Sequence, residues 1–297
     1  MPRTVRVMLL AITLAASSSP GAQGSRLAAR ALAPAEHPPV SGGDGAACTR
    51  CHDDVTTRRV MHGPVAAGRC STCHVVGTAS GRRRVVLKGG ASRLNTATLC
   101  ITCHEDIADR LKQPHRHAPV AAGHCTACHD PHGSPFRFQL PADGNRACTT
   151  CHEDIAQALA NAHVHAPAAA SCQICHDPHA ASRPAQMRAP GNTVCLACHV
   201  DTPVDTALID EGMLFGRHPA DSVTRLVATG PRILLDGSLL SGHPTFSHPV
   251  DGRPDPTQKG RTLGCASCHN PHGSPGEKLF RFGAMGVSAL CVRCHEF

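Results

Sequence analysis

Cysteine and histidine recur together along this chain at a spacing that chemistry can use. The stretch from Cys100 to Ser134, CITCHEDIADRLKQPHRHAPVAAGHCTACHDPHGS, holds two C-x-x-C-H motifs, Cys100-Cys103-His104 and Cys125-Cys128-His129, and closes on a further histidine, His132. Two thiols at this spacing can form thioether bonds to the vinyl groups of one haem, and the adjacent imidazole then reaches the iron as its proximal ligand. Nine such motifs carry the thiols Cys48 and Cys51, Cys70 and Cys73, Cys100 and Cys103, Cys125 and Cys128, Cys148 and Cys151, Cys172 and Cys175, Cys195 and Cys198, Cys265 and Cys268, and Cys291 and Cys294. Together these are all 18 cysteines of the chain. No thiol is left for a disulfide or a nucleophile. A single C-x-x-C also suits a zinc knuckle or a redox dithiol. Zinc sites group such pairs without a fixed following histidine, and redox dithiols sit on a βαβ fold. Nine pairs, each followed by His, therefore point to nine covalently attached haem c groups.

The sixth iron position separates a carrier from an enzyme. Nine of the 22 histidines are proximal, namely His52, His74, His104, His129, His152, His176, His199, His269 and His295, and 13 remain. Beyond residue 24 there are only four methionines, Met61, Met187, Met213 and Met285, and none recurs at a fixed place. His–His ligation is favoured, which implies low potentials, because methionine ligation raises them. Repeat position ranks the candidates. His62, His117, His165 and His248 share an H-x-P or H-P context between paired motifs, and His132, His179 and His272 close a C-H-x-P-H tail. The last two distal ligands are expected among His218, His115, His163, His243 and His37, although His37 also reads as a stray exposed residue. In His115-Arg116-His117 and His163-Val164-His165 an extended backbone would point the two imidazoles to opposite sides, so each pair could serve two haems. His124 has no counterpart in other units.

The elements that must position these residues are short. Arg3 and Arg6, the apolar run Val7 to Ala16 and the small residues up to Gly24 read as an export signal over 1–24, too short to span a bilayer. Residues 25–45 read as a flexible leader, 46–199 as repeats with seven motifs, 200–264 as an insertion loop and 265–297 as repeats with the last two motifs. Units starting at Cys48, Cys100, Cys148, Cys195 and Cys291 lie 52, 48, 47 and 96 residues apart, the last a half unit. Glu105-Asp106-Ile107 and Glu153-Asp154-Ile155 each open a short amphipathic helix with acidic residues at its positive end, finished before Pro119 or Pro167. Arg82 to Lys88 reads as an exposed basic strand or loop, with propionate pairing or a docking patch as the alternatives. The insertion separates Cys195 from Cys265 by 70 residues, where other motif spacings are 22 to 30. It is expected to loop out and return with a distal imidazole, His248 first.

The composition agrees. There is no Trp or Tyr and only 7 Phe, while Gly and Pro number 27 and 24. Such a chain cannot build a conventional core, so porphyrins must supply the apolar interior. The fold class is a multihaem cytochrome c: short α-helices and loops with little regular structure, wrapped around a chain of haems. The formal charge of +7 falls to about +5 without Arg3 and Arg6, and nine ferric haems at about −1 each bring it to roughly −4. Basic excess is then internal compensation and no sign of nucleic acid. Arg outnumbers Lys 25 to 4, as pairing of planar forks with propionates favours.

The patterns CxxCHEDI…HAPVAAGxC..CHDPHGS and FSHPV…LGCASCHNPHGSP…LCVRCHE resemble the doubled-CXXCH multihaem cytochromes. High haem density behind an export signal, with no span, is similar to the periplasmic MtrA-type decahaem cytochromes. That resemblance implies electron transfer among redox proteins in the cell envelope, with quinol-linked or periplasmic cytochromes as partners and an outer-membrane porin in the MtrA case. Two other readings are a multihaem reductase of a small inorganic substrate and a polymerising extracellular nanowire cytochrome. Against the reductase, no motif reads C-x-x-C-K and no tyrosine exists to assist.

Overall fold

In the computed structural model of the chain, residues 36–39, 44–79, 81–92, 94–199 and 253–295 are described, with three short backbone segments at 209–210, 213–214 and 218–219. Its helices are only a turn or two long. Glu105–Arg110 and Glu153–Leu159 begin where expected, directly after His104 and His152, with two acidic residues in the first turn. A second set, Gly63–Ala66, Ala118–Ala121 and Ala166–Ala170, starts just after His62, His117 and His165, each with proline in its first two positions. Proline fits there because its missing N–H would have had no helical partner. Those three histidines are held in extended backbone at the helix entrance.

Strands are equally brief. The longest pair joins His74–Ala79 to Arg82–Leu87, so the basic stretch is a hairpin strand and its register sets His74 opposite Leu87. Three two-residue antiparallel ladders matter more. Val60–Met61 pairs with Gly133–Ser134, His115–Arg116 with Ala180–Ala181, and His163–Val164 with Gly273–Ser274. Each joins the residues before a between-motif histidine to the residues after the C-H-x-P-H tail of the next unit. The approach is close: a Cβ on Gly133 would lie 2.8 Å from the Val60 carbonyl oxygen, and one on Gly273 would run into the Ala158 carbonyl.

Among the described residues the buried apolar side chains are Ile174, Ala180, Ala189, Phe280 and Ala284. Five side chains, three of them alanine, are far too little apolar surface to offset the conformational entropy of ordering such a chain. The fold follows the expected class. Within the insertion, Met213–Leu214 pairs with Ile209–Asp210 and with His218–Pro219. The chain returns through a tight loop at 253–263, closed by the backbone bonds Asp255 to Arg261 and Leu263 to Arg253. The signal and most of the leader and insertion, with His243 and His248, lie outside the described residues. No described helix is long and apolar enough to cross a membrane.

Candidate haem-binding sites

Each C-x-x-C-H segment forms a single turn. At Cys100 the N–H groups of Cys103 and His104 donate to the Cys100 carbonyl at 3.2 and 3.1 Å, and the same two bonds recur at Cys48, Cys125, Cys148, Cys172 and Cys291. One turn brings two thiols three residues apart to the same side and leaves the imidazole beside them, the geometry that haem attachment needs.

The nine turns lie side by side in sequence order. Within units the first thiols are neighbours: Cys48 with Cys70, Cys100 with Cys125, Cys148 with Cys172 and Cys195 with Cys265. Between units the second thiol lies near the motif that opens the next unit: Cys73 near Cys103, Cys128 near Cys148 and Cys151, Cys175 near Cys198, and Cys268 near Cys294 and Cys291. The series is unbroken across the insertion. Asn145 Oδ1 accepts the Cys172 N–H at 2.8 Å, and Asn192 Oδ1 accepts the Cys265 N–H at 2.8 Å over 73 residues. Asn192, before the insertion, thus meets Cys265, after it, as Asn145 meets Cys172 in a shorter unit.

The thiols are not equivalent, although their spacing in the sequence makes them look so. Cys51, Cys103, Cys151 and Cys294 are exposed, and the other 14 cysteines are half-buried. All four are second thiols of a motif that opens a unit, whereas Cys198, in the same position, is half-buried. Cys51 lies at the open end of the thiol series, and its N–H still donates to the Cys48 carbonyl at 3.2 Å. The local turn therefore fixes its place beside Cys48 and His52, while neighbouring units leave it uncovered. A thioether to haem would put the porphyrin over that exposed side.

Among the described residues, seven proximal histidines face a second imidazole. His104 faces His62 with ring centroids 5.9 Å apart, His152 faces His117 at 5.8 Å, and His199 faces His165 at 5.9 Å. His74 faces His132 at 6.0 Å, His129 faces His179 at 6.1 Å, and His176 faces His272 at 6.2 Å. His52 faces His37 at 6.4 Å with the ring planes 11° apart, and in the other six pairs the planes differ by 13° to 21°. Two metal–nitrogen bonds of about 2.0 Å, plus roughly 1.2 Å from each nitrogen to its ring centre, would separate the centroids by about 6.4 Å. The pairs fit an iron between them.

The pairing rule crosses units. A between-motif histidine faces the first motif of the next unit, and a tail histidine faces the second motif of the preceding one. Each tail thereby reaches three sites. His129 is proximal at its own motif, His132 faces His74, and the Pro131 carbonyl is a hydrogen-bond acceptor for His62, which faces His104. Pro178 and Pro271 meet His117 and His165 in the same way. The tail's own shape comes from its acidic or amide residue. Asp130, Asp177 and Asn270 accept the N–H of His132, His179 and His272 at 3.0, 3.0 and 3.1 Å. Asp177 is also gripped by Arg110 at 2.9 Å and Arg188 at 3.3 Å, tying two units together.

Burial, and after it the charge of the facing or adjacent histidine, holds His62, His74, His117, His165 and His272 below the ordinary imidazole value. The neutral ring is the form that binds metal.

His37 corrects the reading of a stray surface residue. Its N–H donates to the Arg83 carbonyl at 3.0 Å, which anchors the leader on the hairpin and carries the ring to His52. Its only signal in the sequence was H-P, shared with His218, His243 and His248. His115 and His163 face no histidine ring among the described residues, because the two-residue ladders fix them in strand pairs opposite Ala181 and Ser274. Among the described residues, neither H-x-H pair brings two imidazoles to two sites. His124 is exposed beside the Cys125 turn. The candidates for His269 and His295, the rings of His218, His243 and His248, lie outside the described residues. His269 also lies 5.4 Å from the Phe280 ring.

Comparison with known proteins gives one family. The doubled CXXCH motif matches residues 62–109, 117–157, 165–203 and 256–297. The first three matches begin on His62, His117 and His165 and run past the proximal histidine that each one faces, so the family's repeat is the pair of motifs sharing an internal imidazole pair. The matches pair the motif at Cys265 with the one at Cys291, and leave out the one formed by Cys48 and Cys51. No curated protein matches the chain. With more than half of its residues inside these repeats, and with attachment turns and facing imidazoles that suit covalently bound haem c, the chain belongs to the doubled CXXCH family of multihaem c-type cytochromes.

Proposed function

We propose that the protein carries electrons along nine haem c groups in the cell envelope, passing them between redox proteins, with no bond chemistry of its own. Haem c, when bound, supplies a one-electron iron couple. The chain's residues hold it and close it to substrate. The observation that carries this reading is the set of seven facing imidazole pairs, which leaves no open iron position at those sites. The unbroken run of neighbouring thiols supports it, because electron hopping falls steeply with distance and a carrier needs every site close to the next.

On this reading His37, His62, His117 and His165 are distal ligands opposite His52, His104, His152 and His199. His132, His179 and His272 serve His74, His129 and His176. The same rule gives His248 to His295, and it leaves His218 or His243 for His269. His115 and His163 take no iron. Partners are other redox proteins, quinol-linked or periplasmic cytochromes, with an outer-membrane porin as the MtrA-type alternative.

The test is spectroscopic. Pyridine haemochrome and intact mass are expected to give nine covalent haems. Electron paramagnetic resonance of the oxidised protein is expected to be wholly low-spin, with no ready binding of cyanide or nitrite. A substantial high-spin signal, together with reduction of a small substrate at enzymatic rates, would overturn the carrier in favour of a reductase.

A further inference from the structure

After each of the three tails the backbone turns in a way that its residue types do not favour. Phe138 and Gln139 have φ of 58° and 53°, Ala185 and Gln186 of 53° and 51°, and Leu279 of 55°. Left-handed backbone is costly for such residues and persists only where the surroundings impose it. The sequences of the turns, PFRFQ, RPAQ and GEKL, share no glycine or asparagine at these positions.

What they share is where two successive carbonyls go. The Phe138 carbonyl accepts a hydrogen bond from His129 Nδ1 at 2.7 Å, Ala185 from His176 Nδ1 at 2.8 Å, and Lys278 from His269 Nδ1 at 2.7 Å. The next carbonyl, of Gln139, Gln186 or Leu279, accepts the backbone N–H of Asp130, Asp177 or Asn270 at 2.8, 2.9 and 2.7 Å. The ring of each proximal histidine and the N–H of the residue after it are gripped together, each nine residues downstream. A proton donated from Nδ1 leaves Nε2 as the ligating nitrogen and raises its basicity. Among the described residues, His52, His74, His104 and His152 have no such ring bond: three stand at the entrance of short helices and His74 opens a strand.

We propose that these left-handed turns are positioning elements that strengthen donation from His129, His176 and His269, and so lower the reduction potentials of the haems at Cys125, Cys172 and Cys265. The inference rests on the bis-imidazole carrier reading. A stronger donor stabilises ferric over ferrous iron, so the hydrogen bond shifts the couple downward. Ala185 and Gln186 act through the carbonyl that their conformation aims, and touch no electron path themselves.

Two substitutions in the intact haem-loaded protein separate this from a purely structural role. Ala185→Gly keeps the left-handed backbone and is expected to leave a spectroelectrochemical titration unchanged. Ala185→Val disfavours it and is expected to move one haem of the nine to higher potential, with nine haems retained and all low-spin. Identical titrations for wild type and both variants would overturn the proposal, as would a high-spin haem in Ala185→Val at unchanged potentials. Should Ala185→Val fail to assemble, the wild type decides. Reduced protein carrying nitrogen-labelled histidine is expected to show slowly exchanging Nδ1 protons on at least three rings, and none protected would overturn the proposal. Failure of the carrier reading looks different, because it gives a high-spin wild type.

Discussion

The histidines divide by what their backbone does with them. A histidine at a helix entrance with extended backbone swings its ring away from its own unit, and one held inside a ladder does not. His37, held by its backbone on the hairpin, joins the first group in facing a ring, and His115 stands for the second. His37→Ala is expected to turn one haem high-spin and leave eight low-spin by electron paramagnetic resonance, because the ring facing His52 is removed. His115→Ala is expected to leave the spectrum of all nine unchanged, since its place is opposite Ala181 in a strand pair. A new high-spin signal in His115→Ala would break the pairing rule. The thiols and proximal histidines were legible from spacing alone, because one helical turn fixes their relation locally. The exposure of Cys51 was not legible, because it depends on which units pack over the turn. Six facing histidines, those of the three tails and the three H-x-P segments, were legible from recurrence. Their partners were not, because the pairing reaches into a neighbouring unit, and nothing in a local pattern says which.

At the scale of elements, hydrogen bonds that no motif records hold the sites in place. The return loop of the insertion is closed by Asp255, which is buried and accepts from Ser267 Oγ at 2.6 Å, Thr257 Oγ1 at 2.7 Å and Gln258 Nε2 at 2.9 Å. Burial pushes its carboxyl up, but these bonds together outweigh it and hold the group well below the ordinary carboxylate range. A depressed carboxyl stabilises the fold above its unfolded value, about 3.9, and loses that contribution as pH falls through and below it. Asp255→Ala is expected to cost about 2 kcal/mol at neutral pH. The gap in thermal midpoint between wild type and variant should narrow below about pH 4. A gap independent of pH would mean that the charge of Asp255 contributes nothing. The left-handed turns were likewise invisible beforehand: Phe-Gln and Ala-Gln carry no turn signal, so their conformation is imposed by the bonds to His129 and His176.

For the molecule as a whole, the sparse core and the crossed pairing are one design. Five buried apolar side chains among the described residues cannot fold the chain, and no unit contains both imidazoles of its own first-motif site. On the proposed reading, haem loading, fold and continuity of the electron path depend on one another. The fold class was readable from composition because the deficit of aromatics is so large. Which thiols become neighbours between motifs was not readable, since it depends on how successive turns are stacked.

The ladders that let each tail reach three sites also impose an order on maturation. Emerging from its N-terminus, the chain presents every between-motif histidine before the motif it faces, so the sites at Cys100, Cys148 and Cys195 find their second imidazole already waiting. The sites at Cys70, Cys125 and Cys172 must wait for a tail that follows 58, 50 and 96 residues after their proximal histidines. A chain ending at residue 147 makes the asymmetry measurable. It is expected to hold four haems, three of them low-spin, with the one at Cys125 open to cyanide because His179 has not been made. Four low-spin haems in that fragment would mean that His129 finds its partner elsewhere.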